Sequence, residues 1–141
     1  MENNAMICVH SIQQYEDNPP ETIELTTEGR IWEENGKLYF SYQESELTGL
    51  EGTQTVFALE PDCIVLERRG RVTSRMEFRV GQSNKSLYDS AGLGSMMICV
   101  VTEQIENRME LSGGSLRVVY TIEIEDTGIG TVAYDITVTG R

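Results

Sequence analysis

From Leu116 to Glu125 the chain alternates with a period of two. Leu116, Val118, Tyr120, Ile122 and Ile124 share one face, and Arg117, Thr121, Glu123 and Glu125 share the other, with Val119 the exception. That period belongs to an extended strand with one buried face, whereas a helix repeats its apolar residues every third and fourth position. The same alternation recurs between turn signals that fall every eight to twelve residues: Pro19-Pro20, Asn35-Gly36, Gly49 to Gly52, Pro61-Asp62, Arg69-Gly70, Gly81 to Asn84, Gly92 to Gly94, Gly113-Gly114 and Asp126 to Gly130. Short, evenly spaced strands of this kind predict a β-sandwich or barrel.

The strands are expected at 5–13, 21–33, 37–47, 53–60, 63–69, 71–80, 85–90, 94–111, 115–125 and 131–140, the eighth bent or broken near Thr102. No window makes a convincing helix; Thr102 to Leu111, the best candidate, is β-branched and poorly amphipathic. Asn35-Gly36 suits a type I′ hairpin, and Gly70, Gly113 and Gly114 allow the positive φ angles of tight turns. Hairpins make sequential strands neighbours, and closure removes the exposed edges of a long coiled sheet. The expectation is therefore an all-β chain: a single closed antiparallel meander β-barrel of about 8–10 strands over residues 1–141, with little or no helix.

Composition bounds the function. The 141 residues carry a net charge of −12, which repels phosphate backbones and argues against nucleic-acid binding. The charge is uneven. Residues 1–67 hold 14 acids against Arg30 and Lys37, while residues 68–85 hold six bases against Glu77. No apolar run approaches the roughly 18 residues of a membrane span. The opening Met1-Glu2-Asn3-Asn4 has neither the basic residues nor the apolar stretch of a secretory signal, so the cytoplasm is the expected location. Cys8, Cys63 and Cys99 are odd in number, far apart and set in apolar runs, which predicts buried structural thiols and no zinc or redox pair.

The segment Tyr39 to Thr55, Tyr-Phe-Ser-Tyr-Gln-Glu-Ser-Glu-Leu-Thr-Gly-Leu-Glu-Gly-Thr-Gln-Thr, resembles the signature block of the bacterial YwiB-like family of calycin-like β-barrel proteins. The likeness continues through Ile23, Leu25, Gly29, Arg68, Gly70, Ser74, Met76, Phe78, Tyr88, Gly94, Thr102 and Tyr120. One departure is visible: the family pattern Tyr-x-Thr-Pro-x-Gly reads Tyr88-Asp89-Ser90-Ala91-Gly92-Leu93-Gly94 here, without the proline. The resemblance implies a lipocalin-like closed barrel and assigns no activity.

The candidate site comes from strand faces. Leu38, Phe40 and Tyr42 share a face that Glu44 and Glu46 continue, and Thr53 and Thr55 share the face of Phe57 on the next strand. A hairpin brings these polar positions to one end of the barrel, where the strand carrying Ile64, Leu66 and Arg68 also ends. Interior positions two strands apart lie about 10 Å from one another, a gap that Glu44 and Arg68 together span as an ion pair. Register decides this. A two-residue turn at Arg69-Gly70 sends Glu67 inward, whereas a three-residue turn with a bulge sends Arg68 inward beside Ser74. Tyr42, Glu44, Glu46, Thr53, Thr55, Arg68, Ser74 and Tyr88 are thus the candidate ligand-binding residues. Two readings stay open: a structural polar cluster closing a filled barrel, or a recognition patch in a cavity for one small, partly apolar ligand.

Glu44 and Glu46 stand roughly 7 Å apart along a strand, a spacing compatible with paired acid–base catalysis but not diagnostic of it. His10 is the sole histidine, and no GxSxG, P-loop, HExxH or dinucleotide fingerprint occurs, so no catalytic residue, metal or cofactor is expected. Arg71, Arg75 and Arg79 fall on the face opposite Met76 and Phe78. This outer strip is either simply solvated or a docking surface for an acidic protein partner or another copy of this acidic chain.

Overall fold

The computed structural model describes residues 2–16, 18–46, 50–90, 94–124 and 128–140. Ten strands follow one another: β1 (Glu2–Tyr15), β2 (Glu21–Glu34), β3 (Lys37–Gln43), β4 (Thr53–Glu60), β5 (Cys63–Gly70), β6 (Val72–Phe78), β7 (Ser83–Ser90), β8 (Gly94–Glu110), β9 (Gly113–Ile124) and β10 (Gly128–Gly140). Each pairs antiparallel with its sequence neighbours, and β1 pairs with β10 to close the barrel. The meander follows from local turn chemistry. Asn35 (φ 53°) and Gly36 (φ 79°) take the left-handed conformations that let Glu34 pair with Lys37 across two residues.

Gly70 is required by its position. Its φ is 134°, and a Cβ there would sit 2.2 Å from the Gly52 carbonyl oxygen, where the β3–β4 and β5–β6 connections touch. β8 is one strand with a register shift between Thr102 and Gln104, and this bulge is the bend expected near Thr102. β3 ends at Gln43, four residues before its expected end, as the chain turns away into the connection to β4. β6 and β7 pair only along Val72–Ser74 against Tyr88–Ser90, and no residue of β7 is buried.

Alternation decides what points inward. In β4, Thr53, Thr55, Phe57 and Leu59 are buried while Gln54 is exposed. Phe40, Phe57 and Phe78 are fully buried with Ile31, Ile64 and Leu66, filling the half of the barrel toward the β4–β5 turn. Phe40 stacks on Phe57 at 4.7 Å. Interior width grows with strand number, and eight strands are already just filled by side chains. With ten, the opposite half stays open.

The inward parity of β1 is Ala5, Ile7, Val9 and Ser11, so Cys8 lies on the outer face. The expectation of three buried thiols therefore fails at Cys8, which is exposed, and at Cys99, which is half-buried; Cys63 is buried. An apolar neighbourhood in sequence does not bury a residue whose parity faces solvent.

Candidate functional site

The open half is a cavity of about 400 Å³ at the end where β1–β2, β3–β4, β5–β6, β7–β8 and β9–β10 connect. Its walls are mostly apolar, including Val9, Ile23, Met76, Ile98, Ile122 and Val132, and its polar lining comes from Arg68, Glu44, Glu21, Ser11, Gln13 and the tyrosines.

The register question at β5 resolves in favour of Arg68. Arg68 pairs with Ser74 and Glu67 with Arg75, which requires a connection of five residues, Arg69 to Thr73, longer than either turn considered from sequence. That parity puts Arg68, only 7 % exposed, inside and Glu67 outside with Arg69 and Arg75. Arg68 Nη2 donates to the Tyr134 hydroxyl at 3.0 Å, while Nε is buried without a partner. The neighbouring Ser74 Oγ is buried and likewise unpartnered.

The expected Glu44–Arg68 ion pair does not form among the described residues. Glu44 is buried, but its Oε2 accepts from Thr55 Oγ1 at 2.5 Å, and its charge acts on the Tyr42 phenol of its own hairpin. The reason is cross-strand geometry: Tyr42 pairs with Thr55, and the Glu44 amide donates to the Thr53 carbonyl at 2.9 Å, so the carboxylate finds its partners on its own hairpin. Thr53 Oγ1 accepts from the Val72 amide at 3.3 Å, fastening β4 to the start of β6.

The eight sequence candidates therefore separate. Tyr42, Glu44, Arg68 and Tyr88 line the cavity; Thr53, Thr55 and Ser74 are buried behind its wall. Glu46 is exposed, because strand alternation stops at Gln43 and no longer dictates where it points, so the two glutamates do not face each other. Leu47 to Gly49 and Ala91 to Leu93 lie outside the described residues, and with them much of the β3–β4 loop and the proline-less β7–β8 loop. Arg71, Arg75 and Arg79 are exposed as expected, but Arg75 is held by Glu77 at 2.5 Å and lies 3.7 Å from Glu67. His10 lies 3.6 Å from Glu24. No group of three or more His, Cys, Asp or Glu residues gathers to hold a metal ion among the described residues. None of their helices is long and apolar enough to cross a membrane.

Sequence reasoning missed Tyr15, Tyr120 and Tyr134 as site residues. The signal was present: Tyr120 is on the inward face of the alternating β9 run, and a tyrosine among inward aliphatic residues marks a place where a hydroxyl needs a partner. Burial, and then the negative charge of Glu44, hold the Tyr42 phenol well above its ordinary pKa of 10.0. Burial, and then Tyr134, do the same to Tyr120.

These raised values have a stability consequence. Above pH 10 the unfolded tyrosines release protons that the folded ones retain, so the unfolded chain binds fewer protons and stability falls as pH rises. The stability these phenols contribute is complete below the unfolded pKa of 10.0 and is lost as pH climbs toward the folded values. Urea midpoints measured from about pH 9 to about pH 11 should drop, and Tyr120→Phe should flatten that drop. An unchanged slope in Tyr120→Phe would place the alkaline sensitivity elsewhere.

Ten antiparallel strands closed around a half-open interior define the class: a meander β-barrel with an internal cavity at one mouth. Within that class the chain belongs to the DUF1934 family, a domain of unknown function, whose family model matches residues 7–136. The fold is similar to the crystal structure of the ywiB protein from Bacillus subtilis, with a TM-score of 0.77, 20 % identity, and coverage of 96 % of this chain and 92 % of that one. The YwiB-like resemblance and the closed barrel read from the sequence are thus established. No curated protein matches the chain.

Proposed function

We propose that this protein is a cytoplasmic binding barrel for one small, partly apolar ligand that enters at the β3–β4 end. The observation that carries the reading is the 400 Å³ cavity with mostly apolar walls and a few polar lining groups, Arg68 among them. Binding sites for small molecules have this composition: mostly apolar lining, with a few convergent polar groups that set orientation. The three free cysteines suit a reducing compartment. The competing structural reading, a side-chain-filled barrel, accounts for the phenylalanine half of the interior but gives no reason for the open half.

Native mass spectrometry of the protein purified from its own host tests the proposal. A single small-molecule adduct that leaves on denaturation is expected. Ile122→Trp, which places an indole in the cavity, should abolish the adduct while the chain stays folded. An adduct unaffected by Ile122→Trp, or a protein that carries none and binds no amphipathic probe, would remove the cavity from its role.

A further inference from the structure

The chain pairs the arginines that least need it. Arg69, Arg75 and Arg117 are all partly exposed, and each has a carboxylate within 2.7 Å. Arg68 is 7 % exposed and lines the cavity, yet its one hydrogen bond is to a phenol, its Nε has no partner, and no carboxylate comes within ion-pair range among the described residues. A guanidinium keeps its charge at any pH the fold survives. Burying such a charge is expensive unless an anion and a full set of hydrogen bonds compensate it. Glu44 faces the same cavity and tempers the charge from a distance, but its carboxylate accepts its hydrogen bond from Thr55. Ser74, the register partner of Arg68 on the neighbouring strand, carries a second buried polar atom without a partner, Oγ.

We infer that Arg68 is the anchor for an anionic ligand, and that the ligand is a monocarboxylate with an apolar body. This inference rests on the reading of the cavity as a ligand site. A carboxylate suits the planar guanidinium, and Tyr134, which Arg68 already bonds, lines the same cavity with Tyr42. Among the described residues that line the cavity, Arg68 is the sole lysine or arginine and Glu44 and Glu21 set two negative charges against it, so of the anions that could meet the guanidinium this lining resists a singly charged one least. A dianionic phosphate would bring a second charge against Glu44 with no second cation to meet it. At the roughly 30 Å³ per molecule of liquid water, a 400 Å³ cavity admits a body of about a dozen non-hydrogen atoms. The aliphatic walls require most of them to be apolar.

Isothermal titration of the intact, ligand-stripped protein with decanoate, decanamide and decyl phosphate tests this. The acid and amide match in size and differ in charge. Decanoate should bind at least about tenfold more tightly than decanamide, the order expected of a charge-assisted hydrogen bond, and more tightly than decyl phosphate. In Arg68→Gln the acid-to-amide ratio should fall to about one. Equal binding of acid and amide to the unaltered protein overturns the anionic anchor and leaves the binding barrel standing; this arm needs no variant to fold. Tighter binding of decyl phosphate overturns the monocarboxylate assignment, and a preference that persists in folded Arg68→Gln overturns the role of Arg68. Binding of none of the three overturns the cavity reading and this inference together.

Discussion

Phe57→Ala is expected to lower the free energy of unfolding by about 3–5 kcal/mol, the range for removing a fully buried aromatic ring from a core that cannot collapse around the gap. Phe57 is 1 % exposed, stacks on Phe40 at 4.7 Å and meets the Tyr134 ring edge-on at 6.4 Å. The ladder holds Phe40 directly opposite Phe57, so neither strand can close the space without losing register across the β3–β4 pair. The effect should also reach the site, because Tyr134 carries the Arg68 hydrogen bond and would lose one of its supporting surfaces. Chemical denaturation with an unchanged m-value and a lowered midpoint would show this loss. A loss below about 2 kcal/mol would mean that Phe40 and Tyr134 relax into the vacated volume.

Arg68→Met is expected to change stability in the opposite direction, raising that of the ligand-free barrel, because a buried guanidinium with an unpartnered Nε and no carboxylate in ion-pair range is costly to keep out of water. The sign separates the two readings of the polar end. If Arg68 were a structural keystone, its removal would leave Tyr134 without its donor and the barrel less stable. If Arg68 is retained for a ligand, the empty barrel carries an under-compensated charge, and methionine relieves it while abolishing carboxylate binding. Thermal or urea unfolding of the stripped protein decides between them, and destabilisation by more than about 2 kcal/mol would favour the keystone. A gain would be an instance of a functional group held at the expense of fold stability.

Much of this was legible in the chain. The hairpin signals at Asn35-Gly36 and Pro61-Asp62 and the inward stripe Leu116, Val118, Tyr120 and Ile122 needed only local rules, because turn chemistry and period-two patterning act over a few residues. Cavity-lining residues inside strands, such as Tyr42 and Tyr88, inherited that clarity. Glu46 did not, since alternation has no force once the strand ends at Gln43. The basic strip was legible as an outer face, but its pairing with Glu67 and Glu77 was not, because those contacts depend on rotamers and cross-strand register.

The sequence by itself determined the strands, their meander order and the end of the barrel at which polar residues collect, since each follows from neighbours along the chain. The tertiary structure alone decided that Arg68 and not Glu67 turns inward, that Glu44 binds Thr55 instead of Arg68, and that Tyr134, 66 positions away, supplies the guanidinium's partner. Closing ten strands sets which side chains share the interior and how much of it stays empty. No local pattern carries that information, because the width of a barrel is a property of the whole circuit of strands.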